Sequence, residues 1–119
     1  MKHNILKYPG DVRLSVLDIE MYIEKEKVTS SADIEKNKLL LDGLCRRFAI
    51  IGEAIFQANK IDKNIPITDK TKIMGLRHII VHDYDLVRAP DLWNIIRFKL
   101  PALKQEIILL IEKYEQESL

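Results

Sequence analysis

Three observations predict an all-α fold, an antiparallel bundle of four or five helices. Apolar residues recur at spacings of three and four and seldom at two. Only four glycines and four prolines punctuate the 119 residues. The breaks between the long amphipathic stretches are short, which makes successive helices antiparallel neighbours. The chain reads as a single helical domain, 1–119, large enough to bury a core unaided. An apolar share of 47% beside 31% charged residues fits a globular chain rather than a disordered one. The net charge is +1, which excludes a broad positive field, so any contact with nucleic acid must be local.

The first helix is expected from about Pro9 to Lys27, with Val12, Val16, Ile19 and Ile23 inward. A second is expected from Ser31 to about Asn59, capped from "VTSSAD", with Leu40, Leu44, Phe48, Ile51, Ile55 and Ala58 in one stripe. After the loop "KIDKNIPI", Thr68 or Asp69 is placed to cap a third helix. A fourth starts at Pro90 and carries Leu92, Ile95, Ile96, Leu103, Ile107, Leu110 and Ile111, and Pro101 should kink or split it. Apolar surface on more than one face of the second and fourth helices points to a homodimer.

The lone Cys45 cannot form an intrachain disulfide and reads as a small buried hydrophobe in a reducing, cytoplasmic setting. "MKHNILKYPG" lacks the apolar stretch of a signal peptide, and the run "IILLI" is too short for a bilayer. No membrane association is expected.

The third helix contains "RHIIVHDY", residues 77–84, with two of the three histidines of the chain. At about 100° per residue, Arg77 and Tyr84 fall within the apolar arc, while His78 and His82 fall opposite it. A guanidinium in an apolar arc needs a partner, because desolvating it alone costs several kcal/mol. A core carboxylate would serve, and so would an anion arriving at a cleft. Imidazole exchanges protons near neutrality, which suits His82 to acid–base work, though a histidine at a helix end can also simply cap the last carbonyls. Arg77 and His82 diverge by about 140° on an ideal helix. They meet at one substrate only at a helix end or across two copies. His78 and His82 have the i, i+4 spacing of helical zinc ligands, but Ile79 stands where a zincin carries its glutamate, so no metal is expected. Glu53 lies opposite its own helix's stripe, on a solvated face or placed to orient Arg77. Arg46–Arg47 and Arg97–Lys99 are possible phosphate contacts or plain surface.

The order "IGEA" (51–54), a polar loop, "GLRHIIVHDY" (75–84) and "LPALKQEI" (100–107) resembles the HepT-like toxins of the HEPN superfamily. Their motif is an arginine, a polar residue, three more residues, a histidine and, one residue later, a tyrosine: here Arg77, His78, His82 and Tyr84. The polar position is most often asparagine in HepT-like sequences and is His78 here, a variation the superfamily accepts. The resemblance implies a homodimer with the two motifs facing a shared cleft and a metal-independent endoribonuclease with Arg77 and His82 catalytic. It also implies a toxin of a type VII-like HEPN/MNT toxin–antitoxin system with RNA as substrate. A nucleotidyltransferase (MNT) antitoxin would attach AMP to Tyr84 and bring a phosphate beside Arg77. His78 and Glu53 would be supporting residues, and no cofactor is implied. The alternative is a non-catalytic helical module that docks the nucleotidyltransferase.

Overall fold

The computed structural model describes residues 2–117; residues 1, 118 and 119 of the expected domain lie outside them. Six α-helices follow one another: α1 Lys2–Lys25, α2 Ser31–Glu35, α3 Lys38–Ile61, α4 Lys70–His82, α5 Ala89–Phe98 and α6 Leu100–Glu117, with a 3-10 turn at Tyr84–Leu86.

Two boundaries differ from the sequence expectation. Helix α1 runs through Pro9 instead of starting there. Proline deletes only its own donor, and Ile5, Leu6 and Tyr8 pack on the core, which holds the preceding turns helical. The expected helix from Ser31 to Asn59 is two helices. Asn37 leaves helical geometry (φ −119°, ψ 89°) and its side chain accepts from the Leu40 amide, opening α3 anew. At Pro101 the expected break does occur: the fourth expected helix is split, the backbone turning at Lys99 and α6 beginning at Leu100. Asp69 does occupy the N-cap position of α4, in the left-handed region (φ 59°), but makes no capping bond. Its carboxylate pairs with Lys99 at 3.2 Å, and Thr68 donates from both its amide and its hydroxyl to Glu106. These contacts tie the loop before α4 to α6 and its approach.

Helix α3 is the central element. It packs against α1 on one side and α4 on the other, while α6 lies on α1, and α2 bridges α3 and α5. Asp18 meets Arg47 and Tyr22 meets Gly43, so α1 and α3 run antiparallel. Lys70 meets Asn59 and Tyr84 meets Asp42, so α3 and α4 do as well. All six residues of the expected α3 stripe are buried, with Val12, Val16, Ile19, Leu103, Ile107 and Leu110 around them.

Helix α4 is the least covered. It packs chiefly on α3. Ile80 is its one buried residue, and Ile79 and Val81 are exposed. Beside it lies a cavity of about 300 Å³, floored by Phe48 and Ile51 and walled by Ile73, Leu76, Phe98 and Leu103. The motif thus sits on a helix with one side fixed and another open.

Candidate active site

The site is built on a close helix crossing. Gly52 of α3 faces α4 so tightly that a β-carbon there would stand 2.3 Å from Arg77 Cβ and 3.1 Å from the Ile73 carbonyl oxygen. Only glycine admits this approach, and a glycine in mid-helix otherwise only weakens the helix. The approach lays the Arg77 stem across α3 and delivers its guanidinium to the next residue, where Nη2 lies 2.9 Å from Glu53 Oε1. The other oxygen, Glu53 Oε2, accepts from Gln57 Nε2 at 2.8 Å. Glu53 is therefore held from both sides, and Arg77 has the partner its place in an apolar arc requires. The side chains are 35% and 40% exposed, so solvent screens the pair and its stabilisation is on the order of 1 kcal/mol or less. Its value is orientation: a guanidinium has five N–H donors, and this ion pair occupies one edge.

His78 and His82 lie on the open face. Both are exposed, with ring centroids 4.6 Å apart and planes tilted by 46°. His82 is the last residue of α4, and the Asp83 amide reaches back to the Ile79 carbonyl at 2.8 Å. Neither imidazole makes a hydrogen bond or ion pair with another described residue, so His82 does not cap the helix. The same holds between Arg77 and His82, which the single chain does not bring into contact.

Tyr84 departs from the helical wheel because α4 has already ended. From the 3-10 turn its hydroxyl donates to Asp42 Oδ1 of α3, with the Lys38 ammonium 5.5 Å from the ring centroid. Burial pushes the phenol well above its ordinary range, and donation to Asp42 pushes it the same way. The hydrogen bond from Tyr84 holds the Asp42 carboxyl below the usual carboxylate range, with Lys38 adding to the effect. Cys45 is buried close by, and burial pushes its thiol up. Asp42 and Glu53 lie about 16 Å apart along α3, at 1.5 Å per residue. A phosphate on the Tyr84 hydroxyl would therefore start beside Asp42, not beside Arg77 as the wheel suggested.

Of the other basic residues, Arg47 is tied to Asp18 at 3.2 Å, Lys99 to Asp69, and Arg97 lies over the Trp93 and Phe98 rings. Arg46 is exposed. Sequence reasoning missed Gly52 and Asp42. Gly52 carried a signal, since a glycine inside a strong helical stripe marks a close approach. Asp42 carried none, being one more charge on an exposed face. Among the described residues, no three His, Cys, Asp or Glu side chains cluster as metal ligands, and no helix there is long and apolar enough to cross a membrane.

A guanidinium and two exposed imidazoles thus stand on one helix of a small all-α bundle. The chain belongs to the HepT-like ribonuclease family, described as Ribonuclease HepT-like, which it matches over residues 16–110. It is 29% identical over 108 residues to a Methanocaldococcus jannaschii protein named "Gamma-glutamylcyclotransferase and putative RNase", covering 84% of this chain and 46% of that one. It is 27% identical over 107 residues to a "Putative RNase" of the same organism, covering 89% and 95%. A "Putative RNase" of Caldanaerobacter subterraneus is 28% identical over 104 residues, covering 81% and 87%. The chain thus spans about half the length of the first relative and most of the other two. No solved structure matches it.

Proposed function

We propose that this chain is a metal-independent endoribonuclease acting as a homodimer, and the toxin of a HEPN/MNT toxin–antitoxin pair. The observation that carries the reading is the Arg77 guanidinium, held by Glu53 at the α3–α4 crossing, on the helix that ends in an exposed imidazole pair. RNA supplies its own nucleophile. The 2′-hydroxyl attacks the adjacent phosphorus, the 5′-oxygen leaves, and the products are a 2′,3′-cyclic phosphate and a 5′-hydroxyl. The protein has to move protons and stabilise charge on the non-bridging oxygens. His82 serves the first need, and the free donors of Arg77 serve the second by gripping two oxygens at once. The single chain leaves Arg77 and His82 apart, so a second copy facing α4 completes the cleft and covers Ile79 and Val81.

In this reading a nucleotidyltransferase neutralises the toxin by joining AMP to the Tyr84 hydroxyl, which must first release Asp42. Incubation with the partner enzyme, ATP and magnesium should add an AMP-sized mass to the wild-type chain and none to Tyr84→Phe. An adduct that persists in Tyr84→Phe places the modification elsewhere.

RNA cleavage is the central test. Wild-type protein should cut RNA in EDTA, and Arg77→Ala and His82→Ala should each abolish cutting with the helical content unchanged. Activity that is lost on chelation and restored by a divalent ion refutes the metal-free mechanism. A second reading, a non-catalytic module docking the nucleotidyltransferase, draws on the exposed Val81 within the motif and Leu86 just beyond it. It predicts partner binding without any cleavage.

A further inference from the structure

His78 and His82 stand one helical turn apart on α4, both exposed, with ring centroids 4.6 Å from each other. Neither ring has a hydrogen bond or ion pair with another described residue. A histidine kept for structure is ordinarily held by such a bond, and His78 is not. It presents the same chemistry as His82, to the same solvent, within the span of one phosphodiester linkage.

Transesterification of RNA moves two protons, one off the attacking 2′-hydroxyl and one onto the departing 5′-oxygen. A single imidazole must handle both or leave one to water or to the facing copy, whereas two neighbouring imidazoles of one chain can take one each. We propose that His78 is a second catalytic residue and that the two histidines divide these transfers. One neutral ring takes the 2′-hydroxyl proton as the O2′–P bond forms. The other, protonated, gives its proton to the 5′-oxygen as the P–O5′ bond breaks. The rings end with their charges exchanged and reset through solvent, so protons and electrons balance without any further reactant. Because the single chain leaves its own Arg77 apart from His82, the non-bridging oxygens fall to Arg77 of the partner subunit in the composite cleft. The inference rests on the ribonuclease reading above.

The test uses an RNA oligonucleotide spanning a site at which the wild-type protein has been found to cut. It is made in two forms, one with the natural 5′-oxygen and one with sulfur bridging at that position. A thiolate leaves without being protonated, so loss of the acid is repaired by sulfur and loss of the base is not. His78→Ala and His82→Ala should each slow the oxygen linkage by about 10²- to 10⁴-fold, and one variant alone should regain the wild-type rate on sulfur, thereby identifying the acid. Both residues are exposed, and unchanged thermal melts exclude misfolding. Wild-type speed of His78→Ala on the oxygen linkage overturns the proposal and leaves the acid role to the partner copy's motif. Rescue of both variants, or of neither, overturns it too. Wild-type protein inert on every RNA tried removes the ribonuclease reading itself, and this inference falls with it.

Discussion

Gly52 and Arg77 meet where α3 crosses α4, with room for no atom between them: a β-carbon on the glycine would stand 2.3 Å from the arginine's own. The contact sets how near the two helices lie and where along α3 the guanidinium arrives. Gly52→Ala should therefore push α4 outward and break the Arg77–Glu53 pair. Overpacking of this kind costs about 1–3 kcal/mol, so the melting temperature should drop by several degrees and RNA cleavage with it. Unaltered melting and activity would show that the crossing is looser than this geometry.

Glu53→Gln separates orientation from charge. The pair is half exposed, so stability should change by less than about 1 kcal/mol. Arg77 keeps its charge but loses its anchor, so kcat should fall while KM for RNA stays level or drops as the freed guanidinium binds phosphate more readily. A raised KM with kcat unchanged would instead assign Glu53 to substrate binding.

The Tyr84–Asp42 hydrogen bond fixes a pH window. The Tyr84 phenol titrates above its ordinary 10.0 in the fold, so its contribution to stability is complete below that value and is lost as pH rises through the raised one. Asp42 titrates below its ordinary 3.8, so its contribution is complete above that value and is lost as pH falls through the lowered one. The stability difference between wild type and Asp42→Asn should stay constant between these two limits and shrink outside them. Chemical denaturation across pH measures it, and a difference that varies around neutrality would place another group in the pair. Asp42→Asn should also lower the pH at which Tyr84 ionises, though not to that of free tyrosine, because burial, the first cause of the shift, remains.

Light scattering at micromolar concentration should give a mass near twice 13.9 kDa. Because the second copy is assigned to α4, Val81→Glu should yield a monomer that keeps its helical content and loses cleavage. A wild-type monomer that cuts RNA would refute the composite cleft.

Helix identity and core stripes were legible in the sequence because they follow from local periodicity. Leu40, Leu44, Phe48, Ile51, Ile55 and Ala58 share a face whatever surrounds them, and all are buried. The same wheel showed that Arg77 needs a counter-charge and that His78 and His82 turn away from the core. It left Glu53 between a solvated face and a place orienting Arg77, because partner choice depends on the register of α3 against α4, and that register rests on the missing side chain of Gly52. Two boundaries also escaped it. At Pro9, packing of the preceding turn outweighs the lost donor, and at Asn37 one side-chain cap interrupts an unbroken apolar pattern. Tyr84 shows the limit most plainly. Its angle beside Arg77 presumed a helix that stops at His82, and beyond that end only the tertiary structure decides where a side chain goes. It goes to Asp42, about 16 Å along α3 from Glu53.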